Sequence, residues 1–446
     1  MKPFYSCGFW GNRDNFRLAG NGAGTTIAAV GGTSTTKEVV VMSKLAIDGG
    51  TPVFKTKPAR PQWPPANPDV IGRIAEMYLS HKWSFYGKYE NEFAEKYAKY
   101  TGAKYASMMA NGTVTLECSL RAFGVGPGDE VIVPAQTWIA TAMAVVYVGA
   151  TPVIVDIEPD TLCMDPKAFE AAITPKTKAV IPVHLFGSMA DLDKIIKIAK
   201  KHGIKVLEDC AHAHGGMWKG RGVGSWGDAG SWSFQQSKIM TSGEGGAVTT
   251  NDEKIWDLVG RYSHIGYQRG AKQGEKSTPP PEGIICHNYR VTEFQAIILL
   301  DQLRVIDKET RLREKNADYL REQLEKIPGI KVQAKGRCAT QQGYYIYSLC
   351  IDDSMLKPGI DITQVRAAMK AEGALGVMPT WNGKPVYDQA LWSVPKKLYR
   401  IESNVVAEKL IRKQQMGISL NWLMAPRRDL NRLVEAFDKV LSAYRA

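Results

Sequence analysis

No run in this sequence approaches the roughly 18 uninterrupted apolar residues that a membrane-spanning helix needs, so no span is expected. The seven cysteines, at positions 7, 118, 163, 210, 286, 338 and 350, form no C-x-x-C pair, and their odd number in 446 residues argues against a disulfide framework. Reduced thiols in a cytoplasmic setting are the expectation. The seven histidines give no H-E-x-x-H or comparable ligand spacing, so no metal site is read from them. Helix-turn-helix, zinc and RNA-recognition signatures are absent, so the net charge of +12 does not make nucleic acid a partner. Composition has no extreme either: 44% hydrophobic and 23% charged residues exclude disorder or a coiled coil for most of the chain. Internal repeats are missing too.

What is present is an enzyme-sized chain whose length, at about 150 residues per domain, allows two or three domains. Residues 1–41 stand apart, rich in Gly, Asn, Thr and Ser, and Gly31-Gly32-Thr33-Ser34-Thr35-Thr36 reads as flexible linker. Asn12 to Gly20 followed by Ile27-Ala28-Ala29-Val30 looks like a degenerate twin-arginine export leader. Paired arginines are lacking, however, and Asn21, Thr25 and Thr26 break the apolar segment. Translation from Met42 is the alternative reading.

From about residue 90, β-branched apolar runs alternate with helix-period segments. The runs lie at Glu130–Pro134, Pro152–Ile157, Lys178–Leu185, Lys205–Asp209, Gly230–Phe234 and Ala247–Thr250; Ile139–Val148 and Met189–Lys201 are among the helical segments. Such alternation implies an α/β fold with right-handed crossovers and a mostly parallel sheet buried on both faces. Ligands of such sheets sit beyond the carboxyl ends of the strands. Thr292-x-x-Gln295 makes a capping box before a long periodic run that Pro328-Gly329 ends. A smaller α+β segment follows, with Tyr344–Ile351 strand-like and Asn431–Tyr444 a terminal amphipathic helix.

Chemistry concentrates at two strand ends. Val206-Leu207-Glu208-Asp209 delivers two acids, followed at once by Cys210-Ala211-His212-Ala213-His214. Ser231-Trp232-Ser233-Phe234 runs through Gln235-Gln236-Ser237 into Lys238, then into the tightly turning Gly243-Glu244-Gly245-Gly246. A lysine forms Schiff bases with aldehydes, and a carboxylate facing a pyridine nitrogen keeps it protonated so that the ring accepts electrons. Pyridoxal phosphate needs both groups and a phosphate cradle at a helix start. Asn111-Gly112-Thr113, ahead of the helical pattern Val114–Ala122, could provide that cradle. Trp138 could stack on the ring, its alternative being plain core packing.

Seven motifs then occur in one order: Met109-Ala110-Asn111-Gly112-Thr113, Gly128-Asp129-Glu130-Val131-Ile132-Val133-Pro134, Thr137-Trp138-Ile139-Ala140-Thr141-Ala142, Glu208-Asp209-Cys210-Ala211-His212-Ala213, Ser233-Phe234-Gln235-Gln236-Ser237-Lys238, Gly243-Glu244-Gly245-Gly246 and Asn288-Tyr289-Arg290. Through them, residues from about Met42 to the end resemble the DegT/DnrJ/EryC1/StrS family of fold-type-I pyridoxal-phosphate aminotransferases, which act mainly on keto-sugars and keto-cyclitols. The resemblance implies a large cofactor domain over residues 42–330 and a small C-terminal domain over 331–446. It implies that Lys238 forms the Schiff base and shuttles the proton, and that Asp209 pairs with the pyridine nitrogen. Gly112, Thr113 and Ser233 would hold the phosphate, with Asn288 reaching in from a neighbouring subunit of a homodimer. The amino donor would be glutamate or glutamine.

Tryptophan at 138 is similar to the branch that contains inosose aminotransferases and aminohydroxybenzoate synthases. His212 stands where the nucleotide-sugar branch commonly has glutamine, and is read either as a cofactor-ring contact or as a structural hydrogen-bonding residue. Ser233 and Thr113 have local backbone bonding as their bland alternative. Glu208, His184, His214 and Cys210 are read as structural. Two rival functions stay open: a dehydrating or aromatising enzyme of the aminohydroxybenzoate synthase type, and a regulator that keeps the fold without catalysis. Eighteen Lys and Arg against ten Asp and Glu place +8 of the charge in residues 331–446, a basic surface that could steer an anionic substrate.

Overall fold

Apolar runs that open on a polar residue build the main sheet. Glu130, Thr151 and Lys205 are only partly covered, whereas the four residues that follow each are buried, as expected of strands sandwiched between helices. The computed structural model describes residues 44–446 apart from 273 and 275; the leader expected over 1–41 lies outside the described residues. In chain order the strands are β1 (Tyr105–Met109), β2 (Glu130–Pro134), β3 (Thr151–Val155), β4 (Thr177–Val180), β5 (Lys205–Asp209), β6 (Met217–Trp218), β7 (Arg221–Gly222), β8 (Ala229–Ser233), β9 (Gly246–Thr250), β10 (Ile330–Val332), β11 (Ala339–Gln341), β12 (Ile346–Ile351), β13 (Val377–Met378), β14 (Arg400–Ile401) and β15 (Gln415–Ser419).

Eight strands form the main sheet in the order β1-β9-β8-β5-β4-β2-β3-β14. β9 alone among them runs antiparallel to its neighbours; every other pairing is parallel. The expected α/β class with a mostly parallel sheet is therefore what the chain adopts. The run expected over Lys178–Leu185 pairs regularly only as far as Val180. Pro182 has no N–H for a ladder, and its carbonyl instead accepts from Asp209 N at 2.9 Å. The edge strand β14, two residues long, carries too little pattern to be read in advance.

The helix Gly112–Ala122 follows β1, Ile139–Tyr147 follows β2 and Leu192–His202 precedes β5. Leu192, Ile195 and Ala199 turn the last of these onto the sheet, Asp191 caps its start by accepting from Lys194 N, and Gly203 ends it in the left-handed conformation. Thr292 and Gln295 form the expected capping box of the 32-residue helix Glu293–Leu324. A second sheet, β10-β12-β15-β13, is antiparallel and packs on the helices Ile362–Ala371 and Arg427–Tyr444 through Leu349, Ile418, Val365 and Phe437. Distant segments join these layers: Leu45 and Phe54 pack in the core of the second sheet, and Val386, Ala407 and Ile411 in that of the main sheet. Among the described residues no helix is long and apolar enough to cross a membrane, and the six described cysteines are free.

Candidate active site

The carboxyl ends of β5 and β8, the loop after β2 and the helix that follows β1 meet around a cavity of about 420 Å³. Gly112, Thr113, Trp138, Asp209, His212, Ser233 and Lys238 all line it. Asn288 does not. It is exposed, its backbone bridges to His264, and its Oδ1 accepts from Arg290 N at 3.4 Å. A wider cavity of about 1220 Å³, bordered by Tyr86, Glu90, Arg269 and Glu293, contains none of the expected residues.

Asp209 closes β5 with its carboxylate buried. Thr141 Oγ1 donates to its Oδ2 at 2.8 Å and Ala211 N to its Oδ1 at 3.2 Å. Burial pushes its pKa up, against the opposing pull of those donors and of Lys238. It makes no ion pair among the described residues, so no cation contacts this carboxyl group. Its neighbour Glu208 faces the other way, as alternation along a strand requires. That carboxylate accepts from the backbone N–H groups of Gly224, Trp226 and Gly227, each at 2.8 Å, and from His184 Nε2 at 3.1 Å. Glu208, His184 and Cys210 bring ligand-type atoms within 4.8 Å of one another, but both Glu208 oxygens are spent on these bonds.

Lys238 sits in the loop that follows β8. Phe234 N and Gln236 N bond back to Gly245 O and Gly243 O, each at 2.8 Å, so the loop folds upon the glycine turn. Gly243 and Gly245 have φ of +85° and +149°, conformations that side chains resist. Trp63 Nε1 donates to the Lys238 carbonyl at 3.0 Å and fixes its backbone. Desolvation lowers the Lys238 pKa to about 8, only partly opposed by the charge of Asp209. Its Nζ lies 4.6 Å from the ring centroid of Tyr345, whose hydroxyl is 2.8 Å from Ser237 Oγ.

At the opposite wall Asn111 caps the helix Gly112–Ala122, its Oδ1 accepting from Thr113 N and Val114 N at 3.1 Å. A Cβ at Gly112 would lie 2.7 Å from Ser233 Cβ, so only glycine lets this helix start approach the end of β8. Trp138 is 43% exposed and lines the cavity, which sets aside its reading as plain core.

His212 is buried, stacks on Tyr345 at 4.3 Å between centroids and lies 6.1 Å from Trp381; its Nδ1 accepts from Phe186 N at 3.4 Å. Burial, then Lys238, holds its pKa well below the usual value, so the ring is neutral. His214 lies between Tyr97 OH at 2.9 Å and the Ser233 carbonyl at 2.8 Å, where burial lowers its pKa to about 3. Both bonds are structural.

Sequence reasoning missed Thr141, Tyr345 and Trp381. Thr137 and Thr141, four apart at a helix start and bonded at 2.7 Å, carried a readable signal. Tyr345 and Trp381 did not, because they reach the cavity from the far end of the chain.

The model of the DegT/DnrJ/EryC1/StrS aminotransferase family matches residues 67–415. The chain is 37% identical over 430 residues to the L-glutamine:2-deoxy-scyllo-inosose aminotransferase of Streptomyces kanamyceticus, covering 90% of this chain and 97% of that protein. It is 34% identical over 427 residues to the L-glutamine:scyllo-inosose aminotransferase of Streptomyces griseus, covering 90% and 99%. The fold is similar to the crystal structure of 3-amino-5-hydroxybenzoic acid synthase, with a TM-score of 0.77 and 29% identity over 87% of this chain and 100% of that one.

Proposed function

This chain belongs to the DegT/DnrJ/EryC1/StrS aminotransferase family, and from that premise we propose that it moves an amino group from glutamine to a keto-cyclitol, with pyridoxal 5'-phosphate as cofactor. The relatives named above support the donor and the acceptor class. The observation that carries the reading is the meeting of Lys238 and Asp209 in one cavity beside the helix start at Gly112.

The residues present fit the cofactor on three counts. A buried carboxylate without a cation, Asp209, suits a protonated pyridine nitrogen. The helix start, pressed against Ser233, offers the Gly112 N–H and the Thr113 and Ser233 hydroxyl groups to a phosphate. A desolvated amine with a lowered pKa suits an aldehyde. Trp138 would supply a flat face for the ring and His212 a neutral one. When bound, the cofactor supplies an aldehyde that captures amines and a ring that stores the electron pair left when a carbon–hydrogen bond breaks.

Lys238 then takes the proton from the donor's α-carbon and returns it during delivery to the acceptor. Its lowered pKa gives it a neutral fraction near neutrality that an exposed lysine lacks. Thr141 holds the Asp209 carboxylate in place. Asn288, exposed and outside the cavity, is the residue through which a second copy would complete the phosphate site of a homodimer.

The test is transfer of nitrogen from glutamine to a panel of keto-cyclitols, keto-sugars and 2-oxo acids by the purified chain supplied with pyridoxal phosphate. An aminocyclitol product, lost in Lys238→Ala, is the expected result. Full turnover by Lys238→Ala, or amination of 2-oxo acids alone, overturns the proposal.

A further inference from the structure

The three residues after β2 are each tied to the C-terminal part of the chain. Ala135 O accepts from Val386 N at 2.9 Å, and Thr137 O from Gln389 Nε2 at 2.8 Å. Between them, Gln136 Nε2 donates to Gln415 Oε1, the same oxygen that accepts from Thr380 Oγ1 at 2.8 Å. Gln415 Nε2 in turn donates to Ser348 Oγ on β12 at 3.1 Å. Gln136, Thr380, Gln415 and Ser348 are all buried.

This small polar network joins two walls of the active-site cavity. Gln136 stands two residues before Trp138, and Thr380 stands directly before Trp381, and both indoles line the cavity. One side-chain oxygen therefore holds the backbone beneath both. The arrangement is not one that stability alone selects. Gln136 Oε1 and Gln389 Oε1 are buried with no hydrogen-bond partner, a cost that apolar side chains of the same size would avoid. Such a cost is retained where geometry matters.

We propose that Gln415 is a positioning residue that sets the separation of Trp138 and Trp381, and through it the fit of the ring-shaped acceptor. The inference rests on the keto-cyclitol reading above. A rigid six-membered ring needs walls at a fixed spacing, and misplacement by about 1 Å is costly to reaction. Glutamine, an extended and rotatable chain, does not depend on that spacing in the same way.

Two readouts test this. In protein carrying 5-fluorotryptophan, the resonances of Trp138 and Trp381, assigned with Trp138→Phe and Trp381→Phe, should shift or broaden in Gln415→Met. They should stay in place in Gln415→Glu, whose buried acid remains protonated and keeps both an acceptor for Gln136 and Thr380 and a donor for Ser348. In kinetics, Gln415→Met should raise KM for the keto-cyclitol at least tenfold and slow the single-turnover rate with glutamine by a clearly smaller factor, since Trp138 also faces the cofactor ring, and Gln415→Glu should restore both. If Gln415→Met does not fold, Thr380→Val, which deletes one donor, should give the same pattern at smaller size. Unmoved fluorine resonances, or equal losses in the glutamine and acceptor half-reactions, overturn the proposal. Failure of the substrate reading is seen separately, as absence of transfer to any keto-cyclitol by the unaltered enzyme, and the fluorine spectra still decide the positioning role.

Discussion

Thr141 Oγ1 donates to Asp209 Oδ2 at 2.8 Å, joining a helix that follows β2 to the carboxyl end of β5 across 68 residues of sequence. Hydrogen bonds to charged groups contribute about 1.5–3 kcal/mol. Thr141→Val should therefore lower kcat/KM roughly tenfold to a hundredfold, with the cofactor absorbance displaced because Asp209 is no longer oriented. Steady-state kinetics and the absorption spectrum decide it; activity within twofold of the parent would remove Thr141 from the machinery.

Lys238 titrates near 8 in the folded chain, against 10.5 for an ordinary lysine. Reductive methylation of cofactor-free protein, followed residue by residue by mass spectrometry, should show Lys238 reacting with a midpoint near pH 8 and before the exposed lysines. The sign of the stability effect follows from proton binding. Between about pH 8 and 10.5 the unfolded state holds more protons at this site than the folded state, so stability rises with pH through that window. Relative to Lys238→Met, the parent should gain urea resistance from pH 8 to 10.5. A loss over that range would contradict the lowered pKa.

Gly112→Ala places a methyl 2.7 Å from Ser233 Cβ. The helix start must then draw back from β8, a strain of about 1–3 kcal/mol by the measure of overpacked cores. Absorbance titration with pyridoxal phosphate should show affinity reduced tenfold or more, with the circular dichroism spectrum kept. Unchanged affinity would place the phosphate elsewhere.

Glu208→Ala strips the acceptor from the buried N–H groups of Gly224 and His184 and from the partly buried ones of Trp226 and Gly227. Each buried donor left unpaired costs about 1–3 kcal/mol, so urea unfolding should show a loss of at least about 3 kcal/mol. Glu208→Gln, which keeps one acceptor oxygen, should lose less. Equal stability of all three proteins would show that these bonds are replaced by water.

Much of the site was legible because its residues sit in short contiguous motifs at strand ends. Lys238, Asp209, Gly112, Thr113, Ser233, Trp138 and His212 all reach one cavity. Parallel strands of one sheet point their carboxyl ends the same way, so a motif at each end necessarily converges with the others. Tyr345 and Trp381 were not legible for the opposite reason. Neither lies at the end of a main-sheet strand, and their position depends on how the second sheet docks, which no local period records. The edge strand β14 escaped for a related reason, being two residues of main-chain pairing with no pattern of its own.

Local sequence therefore determined the α/β class, the helix caps at Asn111, Asp191 and Thr292, and the chemical groups of the site. Those follow from side-chain period and from hydrogen bonding within a few residues. Tertiary structure alone decided three matters. It brought the N–H groups of Gly224, Trp226 and Gly227 to the Glu208 carboxylate. It lowered the Lys238 pKa by enclosing the amine beneath Tyr345. It tied Trp138 to Trp381 through Gln415, 279 residues from Gln136. Burial and long-range contact are properties of the packed chain, because the dielectric around a group and the partner it meets are set by residues that sequence distance does not bring together.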